Sequence, residues 1–241
     1  GELELEQEEE SQEAQKLLPA QDVLPESLLI IPLYDRPMFP KMMGPIMVED
    51  PRIQQMILQA QEKGLVIYLG LLLVKQPDSG VTHAPQSIED FYPIGVAAKV
   101  VQISPPSREQ PLQLVAQAQE RFEVKQLTRQ QPVFKALVKY LPEEKGESGD
   151  ELKAYSVAII DCIKELVTLN PLFKEGLGLL LDRINVSDPS ALADFAASMT
   201  TSSGAELQEI LETTSIQKRL ERVLILLKNE IEISKLKADI S

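Results

Sequence analysis

Between residues 27 and 141 the apolar positions come in short runs. "LLIIPL" (28–33) is bounded by prolines, and "PIMVED" (45–50) leads into "DPRIQQMILQAQEKG". The latter reads as a helix: Asp50 can cap it, Pro51 suits its first turn, Gly64 can stop it, and Ile53, Met56, Ile57 and Ala60 share one face. "LVIYLGLLLV" (65–74), "YPIGVAAKVVQI" (92–103), "LQLVAQAQERFEVKQL" (112–127) and "VFKALVKYL" (133–141) follow, each strand-length and separated by polar or proline-rich loops. Several short strands with one helix predict a small curled sheet or open barrel. The first of these four runs is expected to be a buried strand along its whole length.

The texture changes at "PEEKGESGD" (142–150), a turn-rich linker. Beyond it the period is helical. Leu152, Tyr155, Ile159, Ile163 and Leu166 mark one helix behind an Asp150 cap, and Asn170–Pro171 and Asp188–Pro189 open two more. Ser203 to Glu206 and Thr214 to Gln217 are capping-box patterns that open the last two. The final helix, with Ile216, Leu220, Val223, Leu227 and Ile231 along one side, has a length of roughly 35 Å and is expected to project from its domain. The expected fold class is α+β: a β-rich pseudo-barrel subdomain with one helix (27–141), a linker (142–150), and a helical bundle ending in a long exit helix (151–241). Residues 1–26 form an acidic tail.

Charge is uneven. Of the net charge of −13, residues 1–22 carry eight carboxylates against Lys16 alone, about half of the total in a segment with few apolar residues to bury. No basic stripe with interleaved aromatics appears, which removes support for nucleic-acid binding. An acidic start is unlike a signal or transit peptide. The longest apolar run, ten residues, is too short for a membrane helix. With a single Cys, these features lead us to expect a cytoplasmic, bacterial-type protein.

Catalytic inventory is thin. There is no phosphate-binding Gly-x-x-x-x-Gly-Lys loop and no dinucleotide fingerprint. One His (His83, in a Pro/Ser/Gly-rich loop) and one Cys (Cys162, on an apolar helix side) fall short of a zinc site. No catalytic, cofactor or metal residues are assigned. The unusual segment is "RPMFPKMMGPIM" (36–47), which gathers Met38, Met42, Met43 and Met47 between prolines. Phe39 and Met47 are expected to point inward and close the barrel end. Met42 and Met43 are adjacent, so in an extended chain one of them faces out. Methionine suits surfaces that accept many sequences, which makes Met38, Met42 and Met43 the candidate substrate-contact residues.

Taken together, "IIPLYDRPMFPKMMGPIMVEDP", "YPIGVAAKVVQI", "AQAQERFEV", "DPSALADFAASM" and "ELQEILETTSIQKRLERVLILLKNEIEISKLKADI" resemble the N-terminal domain of Lon proteases over about residues 28–241. The resemblance implies capture of unfolded or damaged proteins and support of a hexamer. It also implies an ATPase and a Ser–Lys protease module elsewhere in the full protein; ATP and Mg belong to that ATPase module, not to this chain, which by itself is expected to catalyse nothing. A stand-alone adaptor or chaperone-like binder of the same fold is the alternative. Ala118 stands where the family usually has a glycine; a positive φ there would strain it and demand a different hairpin.

Overall fold

The computed structural model describes residues 23–76, 80, 83–130, 133–143, 149–183 and 187–240. The strand-length runs become β1 (Ser27–Leu33), β2 (Met43–Val48), β3 (Tyr68–Leu73), β4 (Ile94–Ser104), β5 (Leu112–Arg129) and β6 (Lys135–Tyr140). They form one sheet in the order β2-β5-β4-β3-β1-β6, and β6 pairs again with β5. Five strands therefore close into a ring, and β2 lies outside it. β5 permits this because it is eighteen residues long. Its first half lies between β2 and β4, and its second half exchanges β2 for β6. Register shifts at Val96/Ala98, Val100/Gln102, Val124/Gln126 and Leu127/Arg129 supply the bends that closure requires. β1 and β3 pair in parallel, and the intervening β2 and helix form the necessary crossover.

That helix, α1 (Pro51–Glu62), has the predicted ends: Asp50 accepts from the Arg52 N–H, and Gly64 follows at φ 66°. Ile53 and Ile57 are buried against the sheet. The run at 65–74 is only partly strand, since Leu65 and Val66 precede β3 and are 59% and 60% exposed. Leu65 still belongs to the turn that ends α1, its N–H donating to the Ala60 carbonyl, and the ladder with β4 starts only at Tyr68. Gly95 must lack a side chain, because a Cβ would sit 2.2 Å from the Leu71 carbonyl oxygen. Ala118 is not strained. It lies in β5 opposite Ala98, and among the described non-glycine residues only Lys41 has positive φ. Both backbone groups of Ala118 are used, its N–H donating to Met42 O and its carbonyl accepting from Lys41 N–H.

The second half is helical: α2 (Gly149–Leu169), α3 (Phe173–Arg183), α4 (Pro189–Met199), α5 (Gly204–Glu212) and α6 (Ile216–Ile240). Residues 144–148 of the expected linker lie outside the described residues, and α2 already begins at Gly149. α4 is the axis of the bundle, buried at every position from Ser190 to Ala197. Ala191, Ala193, Ala196 and Ala197 let neighbours approach it closely. Asp188 and Ser203 cap α4 and α5 as predicted. For α6 the cap falls one residue later than expected, on Ser215, whose hydroxyl accepts from the Lys218 N–H. α6 does not project alone. Tyr155 bonds Glu221 and Lys235 meets Glu165, so α2 runs beside it in the same direction over most of its length.

A buried ionic cluster joins the halves. From β5, Arg121 grips Asp194 of α4 in a two-pronged contact of 2.9 and 2.6 Å, and its Nε donates to the Leu211 carbonyl at the end of α5. Both partners are 3% exposed. Arg219 of α6 approaches the same carboxylate at 3.5 Å and donates to Ser190 Oγ and Thr213 O. Burial pushes the Arg219 guanidinium below its ordinary value, and Asp194 pulls it back up. Gln208 adds a bond from α5 to the Ile94 carbonyl of β4.

Removing Asp194 leaves the buried Arg121 without its carboxylate and Arg219 with only the part-exposed Glu143 at 3.7 Å, and breaking a buried pair in this way typically costs about 3–5 kcal/mol. Asp194→Ala is therefore expected to lose stability on that scale in urea unfolding, with both halves melting at lower denaturant. A loss below about 1 kcal/mol would contradict the role assigned to the cluster.

Candidate protein-contact surface

The methionine segment begins as a strap between the halves. Arg36 donates to the Thr200 carbonyl at 2.8 Å. The Asp35 carbonyl lies where a Cβ on Gly204 would come within 2.4 Å, so only glycine lets α5 start so close. Phe39 is 1% exposed and does point inward, but into the helical core rather than the barrel end. Met42 packs half-buried on that same core, and Met38 half-buried on the sheet cluster. Lys41, at φ 66°, pairs with Asp188, the cap of α4. Burial pushes the Asp188 carboxyl up, but the Lys41 ammonium and the Ala191 and Ser190 N–H groups outweigh it, and the net shift is downward.

From Met43 the chain becomes a strand, and the pleat decides which side chains face out. Ile46 and Val48 are buried, so Met43, Pro45 and Met47 lie on the other face. Met43 is 45% and Met47 55% exposed. The inward expectation for Met47 fails for this reason: with Val48 in the core, its neighbour must point away. Of the three candidate residues, then, Met43 is open and Met38 and Met42 are half-buried in two different cores. Across from Met43, Pro45 and Met47 stand Gln117, Val115 and Gln113 of β5. These six positions carry no charge.

β2 is also the end strand of the sheet order. The Ala118 N–H bond to Met42 O sets the ladder phase, so residues 44, 46 and 48 bond to β5, and residues 43, 45 and 47 direct their backbone groups to the open side. Pro45, which has no N–H, stands in the middle of that side. It blunts the edge against another strand, and leaves side chains as the means of contact.

Next to this face, a groove opens between β1, β2 and α1. Ile31, Val48, Ile53 and Val133 wall it, and Tyr34, Met47 and Glu49 line its mouth. Burial and the neighbouring Glu49 carboxylate push the Tyr34 phenol up. Asp50 and Arg52, also on the groove, are closed on each other. His83 is exposed in its loop, and Cys162 is half-buried on α2, its thiol pushed up by burial. No described helix is long and apolar enough to cross a membrane.

Residues 27–229 match the family model described as the ATP-dependent protease La (LON) substrate-binding domain. The chain belongs to this Lon domain family. It is 37% identical over 225 residues to Lon protease 1 of Syntrophotalea carbinolica and 37% identical over 238 residues to Lon protease of Chlamydia pneumoniae, matches that cover 93% and 99% of this chain. They cover 27% and 28% of those relatives, so the chain spans less than a third of their length. Its fold is that of the N-terminal domain of Mycobacterium avium complex Lon protease, with a TM-score of 0.58 at 22% identity over 84% of this chain and 98% of that one. The Lon N-terminal domain protein of Xanthomonas campestris gives 0.55 at 16% identity, over 83% and 97%.

Sequence pattern does not mark Arg121 or Arg219 as buried: Arg121 stands in a strand that also carries Gln119, Glu120, Glu123 and Lys125, so its charge is no signal there. Glu49 had no signal beyond its position before the Asp50 cap.

Asp188 has a folded value below its unfolded one, so its contribution to stability is present above pH 4 or so and is lost as pH falls through the lowered folded value. Lys41→Met removes one of the groups that lower it. The expected result is an upward move of the Asp188 titration in carboxyl NMR and an acid-unfolding midpoint at higher pH. An unmoved titration would show that the backbone N–H groups alone set the value.

Proposed function

We propose that this domain captures unfolded or damaged protein segments for an ATP-dependent Lon-type protease, using the outward face of β2 and β5. One observation carries the reading: on a chain of net charge −13, six adjoining strand positions are uncharged and include two exposed methionines. Flexible thioethers accept side chains of varied shape, and an uncharged face excludes neither sign of charge in a partner. The blocked edge favours side-chain contact over strand addition, which suits partners that differ in sequence. The ATPase and protease chemistry would belong to the rest of a full-length Lon protein.

Support of a hexamer is part of the same proposal. Ile225, Ile233, Leu236 and Ile240 are exposed along α6, at 59%, 43%, 61% and 86%. An apolar line of this kind on a long helix suits association with another helix. The adaptor alternative shares the contact surface but predicts no such assembly.

Met43→Glu and Met42→Glu separate contact from packing. The Met43 change sits on the surface and is expected to cost under about 0.5 kcal/mol, while weakening binding of reduced, unfolded lactalbumin in a titration. The Met42 change places a carboxylate against the helical core and is expected to lower stability by about 1–3 kcal/mol. A folded Met43→Glu protein that binds as well as the parent would move the contact surface elsewhere.

A further inference from the structure

We propose that the groove between β1, β2 and α1 selects apolar segments that carry a Lys or Arg beside their apolar residues. The inference rests on the capture reading and names the chemistry of what is captured. The walls are apolar and deeply buried: Ile31 is 4%, Val48 3%, Ile53 8% and Val133 3% exposed. Such walls hold a side chain and give no preference for charge. Preference comes from the mouth.

Three charged residues line the groove: Glu49, Asp50 and Arg52. The Arg52 Nε and Nη2 donate to the two Asp50 carboxylate oxygens, so that pair offers a partner no net charge. Glu49 is exposed, and among the described residues it meets no cation; it acts on the Tyr34 phenol instead. A single unneutralised carboxylate therefore stands beside the apolar opening, on a molecule whose overall charge repels anions. A second copy of this chain, carrying the same −13, is disfavoured as the occupant for the same reason. A segment with an apolar anchor and an adjacent cation complements both features. Met47, 55% exposed and also on the groove, joins it to the uncharged face of β2, so one extended segment can lie across both.

The test uses two fluorescein-labelled peptides with the same Leu and Phe residues, one interspersed with Lys and the other with Glu, in anisotropy titrations at low and high salt. The parent protein is expected to bind the Lys peptide roughly three- to five-fold more tightly, the reach of an exposed ion pair, with the difference shrinking at high salt. Glu49→Lys should abolish or invert that preference. Met47→Ser should weaken both peptides alike. Both positions are exposed, and circular dichroism melts verify that the variants fold. Equal binding of the two peptides, or an unchanged preference in Glu49→Lys, overturns the proposal. If unfolded lactalbumin still binds in that case, the capture reading survives and only the selectivity is lost. If neither peptide nor lactalbumin binds, the capture reading itself fails and takes the proposal with it.

Discussion

Two arginines share one buried aspartate, and the arrangement of the two halves depends on it. Arg121 comes from the sheet, Asp194 and Arg219 from the bundle, and all three are at most 3% exposed. Desolvating such groups is expensive, and their mutual attraction recovers the cost only with good geometry and further hydrogen bonds. Most of those bonds are present: the Leu211 and Thr213 carbonyls and the Ser190 hydroxyl take up donors that Asp194 does not, and of the guanidinium nitrogens buried here Arg219 Nη2 is left without a partner among the described residues. Apolar packing alone would hold the sheet against the bundle in many orientations. A two-pronged guanidinium–carboxylate contact has few, so the cluster fixes the angle at which the halves meet. Cluster and strap are complementary, since the first sets direction and Phe39, buried in the bundle, supplies apolar area.

The segment that stood out in the sequence turns out to do two jobs at adjacent positions. Up to Met42 its apolar residues are spent on the junction between halves. From Met43 onward, strand alternation turns every second residue outward. Proline density serves both parts. Pro37 and Pro40 stiffen the strap, and Pro45 occupies an edge position whose missing N–H is not needed. A methionine count could locate the segment, but only the phase of β2 separates packing residues from exposed ones.

This marks where the sequence was legible. Helix and strand positions followed from periodicity, and the caps at Asp50, Asp188 and Ser203 from residue type, because these are local effects. The α6 cap was placed one residue early, since Thr214 and Ser215 are chemically equivalent caps and only the helix phase chooses between them. Leu65 and Val66 were assigned to a buried strand because an apolar run does not say where its sheet partner ends. Met47 was misassigned because its orientation depends on which residue of β2 pairs with Leu112. Ring closure by β5, the Arg121–Asp194 contact and the groove at Glu49 join residues far apart in the chain, and no window of the sequence contains them.

The strap also decides what kind of platform β2 is. An end strand is ordinarily the most loosely held part of a sheet, paired on one side only. Here the residues just before it are anchored in the bundle, and the anchoring continues beyond. Arg36 holds the Thr200 carbonyl, the next residue, Thr201, gives its N–H and hydroxyl to Glu230, and Glu230 is a buried residue of α6. Lys41 reaches the cap of α4 on the same side. The Arg36 and Glu230 links are part-buried and the Lys41–Asp188 pair lies at the surface, so β2 is held from the sheet through β5 and from the bundle through the strap. A surface that must accept partners of differing sequence cannot rely on those partners to order it. On the proposed capture reading, the adaptability would reside in side chains such as the exposed Met43 and Met47, on a backbone that the strap and β5 hold fixed.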